Sequence, residues 1–298
     1  MIIVKIVGGL ASQLHKYAVG RALALRHNTT LKLDLSWFEQ RNGIDTPWEY
    51  ELGKYAIHAE QASAADIRRI QGPALMNRVL DKLERTTGLN VPGRKVIKAS
   101  FMPAEAFERL PNNVYLAGEW AGDAYFKAHR PQLIAEMQPV VAPSAQAQSL
   151  LETIENTPNT VAVHVRRGDF LSNPHASAFH EVTPLSYFVE ATAGLAARYP
   201  GAKCYLFTDD PAWVAQTLQP ALSLNSTLVQ GLPNHEDLLL MSRCTHTVMS
   251  NSGFGWTAAW LNNHPNKQVV APRRWLKNDA DNAQLTAHLF AGNWATLL

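Results

Sequence analysis

Apolar and polar positions alternate most clearly in Val161-Ala-Val-His-Val-Arg-Arg-Gly-Asp169. Strand side chains repeat every two residues, so Val161, Val163 and Val165 share one face and Ala162, His164 and Arg166 the other. The pattern predicts a buried strand over 161–166 that leaves through a turn at Gly168. A loop over 167–183 follows, and Thr183-Pro184 opens a helix with Thr as cap and Pro in the first helical position. Further strands are predicted at Cys204–Thr208, His246–Met249 and Gln268–Ala271. Asn234 caps a helix through Ser242, and the polar Ser250-Asn-Ser-Gly253 leads into an apolar helix, Phe254–Asn262. The first half opens in the same way. Residues 1–7 read as a strand, Gly8-Gly9 as a sharp turn, Ser12–His27 as a helix with Leu14, Tyr17, Ala18, Ala22 and Leu25 at helical spacing, and Leu31–Leu35 as a second strand. A βαβ start predicts a parallel, doubly wound sheet. The pattern weakens between 36 and 150, where a helix over 63–87 and a strand over Val114–Trp120 stand out. The fold class is therefore α/β with two Rossmann-like domains, 1–155 and 156–298, divided near Asn156-Thr-Pro-Asn159.

Composition narrows the function. Of 298 residues 46% are hydrophobic and 17% charged, enough to bury large cores. The net charge of +2 argues against a nucleic-acid binder. Two cysteines, Cys204 and Cys244, exclude a disulfide scaffold and a cysteine-rich zinc site. The apolar start is broken by Lys5 and is a poor signal peptide, and no run is long enough to span a membrane, so a cytoplasmic setting is expected. Arg68, Arg69, Arg78, Lys82, Arg85, Arg94, Lys95 and Lys98 crowd one stretch. It is read first as a solvated helical face; a peripheral contact at the inner membrane face is the other reading.

Candidate chemistry gathers at the carboxyl ends of the second domain's strands, where open α/β sheets bind ligands. His164, Arg166 and Arg167 end the key strand, and planar guanidinium groups match phosphate oxygens. Ser250, Asn251 and Ser252 precede a helix N-terminus, which also favours anions. Asp209 and Asp210 end the next strand; they suit a ribose or a guanine edge, a metal, or a helix cap before Pro211. In the first domain Gly8 and Gly9 let backbone amides approach a ligand, and Asp34, Glu119, Trp120 and Asp123 form an acceptor-side set. Asp169, His175, Glu181 and Asp34 are the candidate general bases, with Asp169 preferred. The glycine pattern is neither GxGxxG nor GxxxxGK[ST], no HExxH spacing supports a metal site, and no GxSxG marks a serine hydrolase. These observations suit a two-domain nucleotide-sugar transferase with its donor in the second half.

Five stretches also resemble a known family. Gly8-Gly-Leu-Ala-Ser-Gln-Leu-His-Lys-Tyr-Ala18, His164-Val-Arg-Arg-Gly-Asp169, Phe207-Thr-Asp-Asp210, Asp237–His246 with Ser250–Leu261, and Ala271-Pro-Arg-Arg-Trp275 are similar, in order, to motifs of bacterial α-1,2-fucosyltransferases of glycosyltransferase family 11. The resemblance implies a GT-B fold whose two Rossmann-like domains face a cleft. It implies GDP-β-L-fucose as donor, O2 of a galactose-containing acceptor, as in O-antigen synthesis, inversion at the anomeric carbon, and no required metal or other cofactor. It places Arg166 on the donor diphosphate with His164 beside it, and Asp209 or Asp210 with Ser250–Ser252 at the nucleotide. The chain has Ala11-Ser12-Gln13 where the family usually has Gly-Asn-Gln, and Ser252-Gly-Phe-Gly-Trp-Thr257 where it has Ser-Ser-Phe-Ser-Trp-Trp. The second departure keeps another GDP-sugar, or a sugar-binding homologue without catalysis, open as alternatives.

Overall fold

The computed structural model describes residues 1–39, 48–87, 93, 95–98 and 101–298. Arg94 of the basic stretch lies outside them. The chain divides into two compact units, Met1–Val140 and Val141–Leu298. The division precedes helix α4 (Ala145–Glu155). The reason is local. The backbone N–H and the hydroxyl of Ser144 both donate to the buried Glu236 carboxylate, at 2.6 and 2.8 Å, and Gln146 donates to the Gln230 carbonyl at 2.9 Å.

In the first unit, strands β1 (Ile2–Lys5), β2 (Leu31–Asp34), β3 (Glu60–Gln61), β4 (Val96–Ile97) and β5 (Tyr115–Leu116) form a parallel sheet in the order β3-β2-β1-β5-β4. Ile2, Ile3 and Val4 of the central strand are wholly buried, as expected when both faces of a parallel sheet are covered. Helix α1 (Leu10–Arg26) covers one face and begins straight after the Gly8 turn. Gly8 has φ +78°, which a side chain would strain. Gln13 is wholly buried and ties that turn down: its amide donates to the Gly8 and Glu49 carbonyls, and its oxygen accepts from the Glu51 N–H. The helix predicted over 63–87 is two helices, α2 (Ala64–Gln71) and α3 (Ala74–Thr87). Gly72 takes φ +74° between them and Pro73 brings no N–H, so the first helix cannot continue. The strand predicted over 114–120 stops at Leu116, and Trp120 turns to φ +56°.

In the second unit, β6 (Thr160–Val165), β7 (Lys203–Thr208), β8 (Asn225–Leu228), β9 (His246–Met249), β10 (Val269–Ala271) and β11 (Thr296–Leu297) form a parallel sheet in the order β11-β10-β9-β6-β7-β8. Every residue of β6 is buried. Val161, Val163 and Val165 join one core with Phe188, Leu195 and Leu206, as the alternation requires. The expected loop over 167–183 holds two short helices, α5 (Gly168–Ser172) and α6 (Pro174–Phe179), the latter capped by the Asn173 side chain. Gly168 is no turn glycine. It opens α5 where a Cβ would come within 3.1 Å of the Asp209 carboxylate. Nor does Thr183 cap the next helix, α7 (Leu185–Arg198): Pro184 takes that place, and the Thr183 hydroxyl is buried against Asn251. Helix α8 (Asn234–Arg243) likewise starts one residue past its cap, Pro233, and α9 (Gly253–Leu261) is capped by Ser252. Among the described residues no helix is long and apolar enough to cross a membrane.

The packing of α1 on its sheet yields a prediction of unusual sign. In a helix interior Gly→Ala ordinarily stabilises by up to about 1 kcal/mol. At Gly20 an added Cβ would lie 2.9 Å from Leu31 Cδ1 and 3.1 Å from Val4 Cβ, both in the core. Gly20→Ala should therefore destabilise by about 1–3 kcal/mol, as overpacking does, and lower the calorimetric Tm by several degrees. An unchanged or raised Tm would contradict this packing.

Candidate functional site

The order of the second sheet fixes where a ligand can enter. From β6 the chain builds outward to β7 and β8, then returns to β9 on the other side of β6. The carboxyl ends of β6 and β9 thus flank a topological switch point, the place where doubly wound sheets bind ligands. Arg166 leaves β6 there and Ser250 leaves β9. The two are tied together, since the Arg166 N–H donates to Ser250 Oγ at 3.0 Å and the Ser250 N–H to the His164 carbonyl at 2.9 Å. Helix α9 begins three residues on, so its free N–H groups point to the same edge.

Both arginines are held by carboxylates. Arg166 Nη2 donates to Asp169 at 2.7 Å, and its Nε lies 3.2 Å from Asp209. Arg167 donates from its backbone to Asp209 at 2.8 Å and from Nε to Asp210 at 3.3 Å, while its guanidinium stacks 3.9 Å from the Trp213 ring centre. The other Asp210 oxygen caps the next turn, accepting from the Trp213 N–H. The oxygens of Asp209 and Asp210, residues expected at the nucleotide, are engaged by the arginines and by backbone. Arg166 Nη1 keeps no protein partner among the described residues. That edge, with the start of α9, can meet an anion. No cluster among the described residues could hold a metal ion.

His164 sits beneath this edge. Burial, with the Arg166 charge close by, pushes its imidazole down to about 3, so it is neutral at physiological pH. Its Nδ1 lies 3.4 Å from Ser250 Oγ, and it packs on Phe254. Gly255 leaves it room, because a Cβ there would come within 3.0 Å of that same nitrogen. His164 therefore supports Ser250 from below.

Other expected residues fall elsewhere. Asn251 is buried in a network of its own, donating to the Glu181 and Trp275 carbonyls and accepting from Thr183. It ties three segments together. Ser252 caps α9, accepting from the Phe254 N–H. His175 is exposed, and Glu181 pairs with Arg274 at 3.3 Å. Asp169 Oδ1 is buried without a partner among the described residues, and Oδ2 takes the Arg166 bond. His180 was not singled out as a base, yet it borders the site: it stacks on Phe170 at 4.4 Å, and its Nδ1 is buried without a partner among the described residues. Burial lowers its pKa, against the pull of Asp169. Trp213 was missed too. Neither has a sequence signal, since one depends on how α5 and α6 pack and the other on a stack with Arg167.

In the first unit, Gly8, Gly9 and Glu119 stand at that sheet's own switch point, between β1 and β5. Glu119 pairs at 2.9 Å with the buried Lys16. Gly9 is covered by the Trp48 ring, 3.3 Å from where its Cβ would be, so its backbone is not bare. Asp34 is buried and accepts from the Tyr115 hydroxyl and the Ser36 N–H, which fits it to holding β2 against β5 rather than to taking a proton. Trp120 is not presented to a sugar. It is wholly buried between Phe107 and Tyr125, and its carbonyl meets His15 Nε2. Asp123 is buried as well.

Residues 103–297 match the family described as Glycosyl transferase family 11. The chain is 25% identical over 285 residues to an Escherichia coli alpha-1,2-colitosyltransferase, covering 95% of each chain. It is 27% identical over 288 residues to the Escherichia coli O-antigen biosynthesis glycosyltransferase WbnK, covering 90% of this chain and 93% of that one. Among solved structures, a point mutant of Arabidopsis thaliana FUT1 in complex with GDP aligns at a TM-score of 0.51 and 10% identity, over 90% of this chain and 69% of that one. That likeness shows the fold, which is α/β of the GT-B type.

The buried His164 makes stability depend on pH. An imidazole titrates near 6.5 in an unfolded chain and at about 3 in this fold. Between those values the unfolded state binds the extra proton, so stability falls as pH drops from 6.5 towards 3 and is fully present above 6.5. His164→Gln should give a shallower fall in urea midpoint between pH 7.5 and 4.5; a residual slope remains from His15 and His246, each lowered to about 4. A slope equal to that of the wild type would show that His164 is not buried neutral.

Proposed function

Because the chain belongs to glycosyl transferase family 11, we propose that it moves a sugar from a GDP-activated donor to O2 of a galactose-containing acceptor in the synthesis of a surface polysaccharide. L-Fucose, from GDP-β-L-fucose, is the first candidate sugar. Colitose is the second, favoured by the similarity along nearly the whole chain to a colitosyltransferase.

One observation carries the reading: a guanidinium fixed at the switch point with one edge left open. In this mechanism the acceptor hydroxyl attacks the anomeric carbon in line with departure of GDP, its proton passing to water or to the leaving diphosphate, and inversion follows. Negative charge grows on the leaving diphosphate. Arg166 Nη1 and the N-terminal amides of α9 donate to it, with Ser250 and His164 fixing the turn between them. Asp169 and Asp209 hold the guanidinium plane before the donor arrives, so little reorganisation is left for the reaction itself. Asp169 is thereby a positioning residue. Arg167, stacked on Trp213 and paired to Asp210, keeps the β7 end in register with the β6 end. No metal is needed for any of these steps.

Transfer of labelled sugar from GDP-fucose, and from an activated colitose donor, to a small galactoside tests the assignment. One preorganised donor to a growing charge is worth about 3–4 kcal/mol, so Arg166→Ala should lose at least two orders of magnitude in kcat/KM. Arg166→Lys should be nearly as poor, since a point charge cannot span both carboxylates and the diphosphate. Activity within about tenfold of wild type in either variant would remove Arg166 from the mechanism. Asp169 separates positioning from proton transfer. Asp169→Asn keeps an oxygen for Arg166 and should retain more activity than Asp169→Ala, with the pH–rate profile unmoved. Equal inactivity, with loss of the acidic limb in both, would make Asp169 the base instead.

A further inference from the structure

Helix α3 in the first unit carries an apolar row that is about half exposed or more. Met76, Val79 and Leu83 are 58, 60 and 47% exposed, among the few large hydrophobic side chains so open. Their spacing of three and four residues puts them on one stripe of the helix. Arg78 and Lys82 are exposed on the same helix, and the exposed Arg68 and Arg69 lie on α2 just before it. Residues 64–98 contain eight basic and three acidic residues, a net charge of +5 in a chain whose total is +2. One of the acids, Asp66, is already paired with Lys32 at 3.0 Å.

We propose that α3 docks on an anionic phospholipid surface, lying in its plane with Met76, Val79 and Leu83 inserted and the cations at headgroup level. Its 14 residues span about 21 Å, too short to cross a hydrocarbon core of about 30 Å but enough for an interfacial helix. Charge decides the occupant. A row covered by a second copy of this chain would bring one +5 segment against another, whereas an anionic bilayer complements the cations and accepts the apolar row. The proposal stands apart from the donor chemistry of the second unit, and it offers a route by which a lipid-linked acceptor could be met.

Flotation of the full chain with vesicles tests it, using phosphatidylcholine alone and phosphatidylcholine with about a third phosphatidylglycerol. Binding is expected to the anionic vesicles only, and to fall as salt rises. Met76→Ser with Val79→Ser and Leu83→Ser should weaken it at least tenfold at low salt. Arg78→Gln with Lys82→Gln should weaken it by about fivefold per cation. Both variants should keep the wild-type Tm and the wild-type rate on a water-soluble galactoside, so that lost binding is not lost folding. Absence of binding to either vesicle would overturn the proposal, as would binding undiminished in the serine variant. A wild-type dimer that ignores vesicles and is split by the serine substitutions would overturn it too, in favour of self-association.

Discussion

A guanidinium at the carboxyl end of a buried parallel strand has to be neutralised and oriented, and the second unit is arranged around meeting that need at Arg166. Two carboxylates from different segments converge on it, Asp169 from the helix that follows β6 and Asp209 from the end of β7. Gly168 is small because Asp209 lies against it. The backbone of Arg166 reaches across the switch point to Ser250, which in turn rests on His164. Removing either carboxylate leaves one edge of the part-buried guanidinium without its partner, which costs a charge-assisted hydrogen bond.

The arrangement trades strength for readiness. Two arginines facing three aspartates attract a free anion less than two bare arginines would. In return, the plane of Arg166 is set in advance, with one edge left open. Enzymes that stabilise a growing charge depend on such preorganisation more than on net charge. The neutral His164 serves the same end, since an imidazolium beside Arg166 would repel it. Its low pKa follows from burial, which also costs the fold stability in acid.

What could be read from the sequence was whatever depends on periodicity along one strand or helix. The alternation in 161–166 gave the strand, its faces and the place of His164 and Arg166. The glycines after β1 gave the turn. What escaped depends on partners distant in the chain. Asp209 and Asp210 look like free carboxylates until Arg166 and Arg167 are seen across the β6–β7 pair. Trp120 and Asp34 look like ligand contacts until the core between α1, Phe107 and Tyr115 closes on them. Thr183 has the chemistry of a cap, yet a partner of higher consequence, Asn251, claims its hydroxyl. The run 167–183 lacks a hydrophobic period because its helices are of five and six residues, too short to show one. The charge of the α3 stretch was legible, but the exposed row beside it was not, since apolar residues at helical spacing ordinarily face a core.

The central claim is that Arg166 receives the diphosphate of a guanine nucleotide. Calorimetric titration of the full chain with GDP, UDP and CDP, in the presence of EDTA, addresses it most directly, with Arg166→Ala alongside. The account predicts that GDP binds without metal, that UDP and CDP bind at least tenfold more weakly, and that the variant loses most of the affinity for GDP. A preference for UDP, binding abolished by EDTA, or an Arg166→Ala protein that binds GDP as tightly as the wild type would contradict it.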